Sequence, residues 1–147
     1  MAVHETAADD VEEIKQLKAR YFRTMDTKDW AAFAALFTPQ AVVDTTAAGG
    51  ERVVGIERLV NDHLRPVHAD TITVHHGHTP EIEFTGTTTA TGIWAMQGWV
   101  WWKSGRSLQN FGHYHDTYEF IDSKWMITSV TLTTLYEIWT DDDSAVE

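Results

Sequence analysis

Residues 88–102 read TTATGIWAMQGWVWW, residues 110–121 NFGHYHDTYEFI and residues 125–139 WMITSVTLTTLYEIW. All three are rich in β-branched and aromatic residues and alternate with a period of two, the signature of strands. Lys103 to Gln109, with Ser104-Gly105, separates the first pair, and Asp122-Ser123 is a tight turn between the second. Three long strands in succession read as an antiparallel meander. Two shorter candidates precede it, Thr71 to Gly77 and Glu81 to Phe84.

Upstream of residue 71 the period changes. In Val11 to Met25, Ile14, Leu17, Tyr21 and Met25 recur at three- and four-residue spacing, predicting an amphipathic helix that Asp9 or Asp10 can cap. A second helix starts at Thr27 to Asp29, carries Trp30, Phe33, Leu36 and Phe37 on one face, and stops at Thr38-Pro39. A short strand, Ala41 to Thr46, leads to a Gly49-Gly50 turn. A third helix runs from Ile56 to Leu64 and is closed by Pro66. Helices first and a long sheet afterwards make an α+β fold: three N-terminal helices on a strongly curved, mainly antiparallel sheet. Such a cone has an interior.

The chain has 147 residues, which fits one domain spanning 11–140, flanked by a flexible start at 1–10 and an acidic tail at 141–147. Its net charge of −11 argues against nucleic acid and against an anionic membrane surface, both of which need clustered cations. No apolar run approaches the roughly 18 residues of a membrane span, and a cytoplasmic location is the default. The absence of cysteine rules out disulfides and thiolate chemistry. No phosphate-cradling glycine loop, dinucleotide fingerprint or cysteine-based zinc spacing is present, so neither a cofactor nor a resident metal is expected. Seven Trp, four Tyr, six Phe and eight His are out of line with the rest of the composition. They fit either a dense β core or an aromatic-lined cavity containing imidazoles.

Three stretches carry a family resemblance. Tyr21 is followed five residues later by Asp26, then by Lys28-Asp29-Trp30 and Leu36-Phe37. His75 opens the run His75-His76-Gly77-His78-Thr79-Pro80-Glu81-Ile82. Gly112-His113-Tyr114 is followed by Asp116, Tyr118 and Trp125. In this order, from Val11 to Leu135, they resemble the nuclear transport factor 2-like superfamily, and within it the SnoaL-like enzymes such as scytalone dehydratase, bile-acid dehydratase and lindane dehydrochlorinase. The resemblance implies that Asp26 and His75 form a catalytic dyad, with Tyr21 a polar pocket residue on the first helix. Read without it, Asp26 is a turn residue between helices and His75 a core histidine.

A neutral imidazole is suited to taking a proton at neutral pH, and a carboxylate on its other nitrogen fixes the tautomer and stabilises the imidazolium. The resemblance also turns Trp94, Met96, Gly98, Tyr114, Val130 and Thr134 toward the cavity and puts Val43 and Leu64 at its mouth; core packing is the alternative for each. Trp94 and Gly98 stand near positions that are polar in relatives, so protonation of a leaving group from that strand is in doubt. His4, His63 and His68 read as surface residues, with His68 able to reach the rim. The opposite strand phase places Trp99, Trp101, His113 and His115 on the outer face, where a homo-oligomer, dimer or trimer, would pack.

The expected function is a cofactor-independent lyase acting on a hydrophobic, aromatic small molecule by β-elimination, chiefly dehydration, or by retro-aldol cleavage. Alternatives are an isomerase or cyclase of the same fold and a non-catalytic binding protein. A cupin-type metal enzyme is a further rival, using His113, His115 and Glu119; His75, His76 and His78 are a less specific metal-ligand set.

Overall fold

The computed structural model describes residues 7–141. The opening helix α1 spans Ala7–Asp26, four residues longer at its start than its apolar pattern marks. Residues 7–10 are therefore helical, not part of a flexible arm; the other terminal residues assigned to an arm or a tail, 1–6 and 142–147, lie outside the described residues. Asp9 and Asp10 sit within the first turn instead of capping it, where carboxylates complement the helix dipole. Asp10 also accepts a hydrogen bond from Trp125 Nε1 at 2.9 Å.

The stripe Ile14, Leu17, Tyr21, Phe22 and Met25 is buried. Each such side chain is worth roughly 1.5–3 kcal/mol in surface removed from water. Lys28, at φ 57°, turns the chain out of α1, and Asp29 caps the short helix α2, Trp30–Ala34, by accepting from Ala32 N.

The second helix ends earlier than its apolar face implies. Leu36 lies in the turn after the helix and Phe37 opens the sheet: β1 runs Phe37–Asp44, with Phe37 paired to Ile127. The register shifts between Phe37 and Val42, the interval that holds Pro39, which cannot donate to a ladder. A three-residue strand without a sequence signal, β2 (Arg52–Val54), follows. The next helix, α3, is a continuous run of Ile56–Arg58, a π-helical stretch Leu59–Leu64, and Arg65–Val67. It passes through Pro66, where the sequence predicts a stop.

Four long strands complete the chain: β3 (Thr71–Phe84), β4 (Thr89–Trp102), β5 (Ser107–Ile121) and β6 (Lys124–Thr140). The two short segments expected at 71–77 and 81–84 are one strand, irregular between His78 and Glu81. The turn at Asp122-Ser123 has both residues at positive φ, as a tight hairpin of this twist requires.

The strands form one sheet in the order β2-β1-β6-β5-β4-β3. All pairings are antiparallel except β1 with β6. With the helices packed against it, the molecule is an α+β cone. The sheet bends at register shifts between Phe111 and Gly112 and between Thr117 and Tyr118. At Gly112 a Cβ would lie 1.9 Å from the Thr133 carbonyl oxygen, so only glycine fits the first bend. Gly77 has a similar role toward α1: a Cβ there would meet the Phe22 ring at 2.6 Å. This close approach brings the C-terminal end of α1 down onto β3.

Candidate active site

Asp26 is the last residue of α1, and His75 lies in β3. The two side chains meet with His75 Nδ1 at 2.6 Å from Asp26 Oδ1. Thr73 Oγ1 donates to the same oxygen at 2.9 Å, and the His75 backbone N–H donates to Oδ2 at 2.9 Å. The carboxylate thus accepts three hydrogen bonds from two alternate residues of one strand and is held in a fixed plane. Because it can only accept, Nδ1 carries the ring proton, leaving the lone pair on Nε2. Nε2 has no hydrogen-bonding partner among the described residues.

His75 forms part of the wall of a cavity of about 410 Å³. Met25, Phe33, Val53, Leu59, Val67 and Leu132 make it largely apolar; Tyr21, Tyr114, His63 and His68 add polar edges. A pocket of this size and composition accommodates a small organic molecule of a few rings. None of its lining residues is Lys or Arg. The wall therefore offers no fixed positive charge to a phosphate or carboxylate. Tyr21 and Tyr114 meet edge to face, centroids 5.8 Å apart. Burial, the largest cause, raises both phenol pKa values, so both remain O–H groups able to donate.

Of the residues expected at the pocket, Tyr21, His75, Val43, Leu64 and Tyr114 line this cavity. Asp26 lies behind His75, on a shallower groove between α1 and β3. Gly98 backs the imidazole: a Cβ there would sit 3.3 Å from His75 Cδ2. Met96 lies beside Gly98 but does not reach the wall.

Trp94, Val130 and Thr134 do not line the cavity either. Trp94 is buried and donates from Nε1 to the Tyr118 hydroxyl at 3.0 Å, so its polar edge is engaged inside the core. Val130 is 1% exposed, and the Thr134 hydroxyl is buried without a hydrogen-bond partner among the described residues. Leu132, in phase between them, reaches the wall instead. Strand alternation identified the correct face but not the depth of each side chain.

His63 and His68, read from sequence as surface residues, both line the cavity. His63 Nδ1 lies 3.3 Å from Glu51 Oε2 at the rim. His68 stacks on Trp30, with centroids 6.2 Å apart and planes at 28°, and its Nδ1 is 3.0 Å from Thr71 Oγ1. Its position just beyond α3 and three residues before Thr71 was the available signal; the side of the chain it occupies was not.

Burial, then His75 and Lys28, push the His68 pKa down to about 4 against a weaker pull from Asp26. In the unfolded chain the group protonates near ~6.5. Folding stability from this residue is therefore complete above pH ~6.5 and falls as the pH drops toward 4, by at most roughly 3 kcal/mol. Urea midpoints measured across that window should flatten in His68→Leu relative to the parent; parallel curves would contradict the assignment.

The other polar chain is deeper. Lys18 Nζ lies 2.8 Å from Asp116 Oδ2, and both side chains are wholly buried. Tyr118 donates to the same Asp116 oxygen at 2.7 Å. The ammonium also lies 4.0 Å from the centroids of both Tyr21 and Tyr114. Burial lowers the Lys18 pKa, with Asp116 opposing.

The rival metal-ligand sets do not assemble among the described residues. His76 and His78 point to the outside of β3 while His75 points inward, as strand alternation requires. His113, His115 and Glu119 occupy the convex face, remote from the cavity, and the single mixed sheet is not the double-stranded barrel of a cupin.

A cone of helices on a curled six-stranded sheet, with a histidine in its cavity wall and an aspartate behind it, has the nuclear transport factor 2-like architecture. Residues 6–131 match the family of the SnoaL-like domain, and the chain belongs to that family. A protein provisionally named an aromatic ring hydroxylase, from Novosphingobium aromaticivorans, superposes with a TM-score of 0.84 at 21% identity, over 97% of this chain and 100% of that one. A second protein of that organism, provisionally named a scytalone dehydratase, gives 0.82 at 21% identity, over 95% and 92%. A hexachlorocyclohexane dehydrochlorinase gives 0.78 at 20% identity, over 90% of each chain. At such identities the likeness establishes the shared fold. No helix among the described residues is long and apolar enough to cross a membrane.

Proposed function

We propose that the protein is a lyase that works without a cofactor by His–Asp general base catalysis on a hydrophobic, aromatic small molecule. His75 Nε2 removes a proton, Asp26 fixes the tautomer and stabilises the imidazolium, and a group departs from the neighbouring carbon as the double bond forms. Dehydration is the leading reaction, with retro-aldol cleavage drawing on the same base. The observation that carries this reading is the 2.6 Å Asp26–His75 contact at the wall of an apolar cavity. The dehydratase and dehydrochlorinase names among the structural neighbours accord with it.

In this reading Tyr21 or Tyr114 hydrogen-bonds a substrate oxygen. The hydroxyl pair replaces the polar groups that β4 lacks at Trp94 and Gly98. Incubation with a panel of hydroxylated aromatic compounds, watching for a new conjugated chromophore, tests it. Binding without turnover across the panel would favour a plain binding protein, and isomerised product an isomerase.

The proposal includes a homo-oligomer. On the convex face Ile72 pairs with Trp101, Val74 with Trp99, and Phe111 with both Gln97 and Tyr136, making an apolar band free of Asp and Glu. Ile72, Trp101 and Tyr136 are each more than 40% exposed in the single chain. Sedimentation should give a dimer or trimer that Trp101→Glu dissociates; a parent protein that sediments as a monomer at micromolar concentration would remove this element.

A further inference from the structure

Three imidazoles line the cavity: His75 is used above, His63 faces Glu51 at the rim, and His68 is left without a role. Among the described residues His68 has no carboxylate partner. Its ring lies flat against Trp30, and Nδ1 is turned back to Thr71 Oγ1 at 3.0 Å. His68 lines the cavity, and no described residue hydrogen-bonds its Nε2. The Thr71 hydroxyl has two acceptors within reach, His68 Nδ1 at 3.0 Å and the His68 carbonyl oxygen at 3.5 Å. When the nearer, Nδ1, takes its proton, the ring accepts at that nitrogen. A Nδ1 that accepts leaves the ring proton on Nε2.

We infer that His68 is a second catalytic residue: a neutral imidazole whose Nε2–H donates a hydrogen bond to a substrate carbonyl oxygen, making the preferred substrate a neutral aromatic ketone or enone. The inference rests on the proton-transfer reading above. His75 Nε2 takes a proton from the carbon next to the carbonyl. The C–H electron pair forms the new carbon–carbon double bond, and the carbonyl π pair moves onto oxygen, where the Nε2–H of His68 holds it. Collapse of this enolate expels hydroxide from the β-carbon, which leaves as water with the proton returned by His75. With no leaving group, the proton simply returns to carbon. A donor fixed at the atom where charge develops stabilises the transition state more than the ground state. A neutral donor is compatible with the cavity because an imidazolium there would face both burial and the Lys28 ammonium, the latter anchored to the Thr71 carbonyl oxygen. The lack of Lys and Arg in the wall leaves this imidazole and the tyrosines to read the oxygen.

Two measurements test it on the full chain. Long-range proton–nitrogen correlation of the ring nitrogens should report the Nε2–H tautomer for His68 and Nδ1–H for His75. A Nδ1–H tautomer at His68 overturns the inference. The second probe is 2-tetralone, a bicyclic aromatic ketone, whose α-hydrogens are followed by proton NMR in deuterated buffer. Exchange should exceed the buffer rate. His68→Leu, which keeps the packing and removes the donor, should slow it roughly 100-fold through kcat, and His68→Gln should recover much of that loss. Exchange no faster than buffer, or exchange lost with His75→Ala but unchanged in His68→Leu, overturns the role given to His68. Exchange insensitive to His75→Ala instead removes the general-base reading, while the tautomer still decides the state of His68.

Discussion

Replacing His75 by alanine lowers the chemical rate on a turned-over substrate by roughly two or more powers of ten, the usual scale for losing a positioned base. Single-turnover kinetics should show the loss in the chemical step with little change in binding. Asp26→Asn should be comparably damaging, although it removes no proton acceptor from the cavity. An amide presenting its NH₂ to the ring favours the wrong tautomer, and the lone pair on Nε2 is then lost. The three donors now converging on the carboxylate, from Thr73, the His75 backbone and the His75 ring, would meet only one oxygen acceptor. Both variants should fold, since neither residue is fully enclosed. An undiminished rate in His75→Ala would dispose of the assignment.

The second large effect is on stability. Lys18→Met should cost roughly 3–5 kcal/mol, because it strands the Asp116 carboxylate in a fully enclosed site. That is a large share of the roughly 5–15 kcal/mol by which a domain is stable. The double variant Lys18→Met, Asp116→Asn should recover most of the loss. The asparagine carbonyl can still accept from Tyr118, and no charge is left unpaired. Urea unfolding of the parent, both singles and the double closes the cycle. Near-additive losses would mean that the two charges are not coupled. The single variant should also disturb the cavity, because the ammonium lies between the Tyr21 and Tyr114 rings that form part of its wall.

Much of the architecture was legible in the residue pattern, for local reasons. The apolar stripe of α1 and the alternation of β4 to β6 each repeat often enough to specify their element type. The turns at Asp122-Ser123 and Ser104-Gly105 carry residues chosen for their backbone geometry. Where the repeat is short, pairing partners decide. Leu36 and Phe37 look helical after Phe33, but the Phe37 position is taken by a strand pairing to Ile127. β2 has three residues and no pattern of its own, and exists because β1 offers it a partner. The π-helical turn in α3 left no mark that the sequence reading could use.

The candidate site divides along the same line. Asp26, His75 and Tyr21 could be singled out in the chain because Tyr21 with Asp26 five residues on, and His75 opening the run His75 to Ile82, resemble a family pattern. Which side chains reach the cavity could not, since alternation specifies a face and says nothing about depth. Trp94 and Val130 share that inward face yet are consumed in the core, while Leu132 emerges. His68 sits in a connection with no periodicity, so its direction depends on Trp30 and Thr71, which are distant from one another in the chain.

The order of residues alone determined the class of fold, the helix end where an acid stands and the strand where an imidazole stands, because these follow from contacts between near neighbours. The 49-residue separation of Asp26 and His75 is closed by α1 settling on Gly77. That approach depends on the curvature of the whole sheet, so the 2.6 Å contact, the enclosed Lys18–Asp116 pair and the His63 and His68 imidazoles in the wall belong to the tertiary structure.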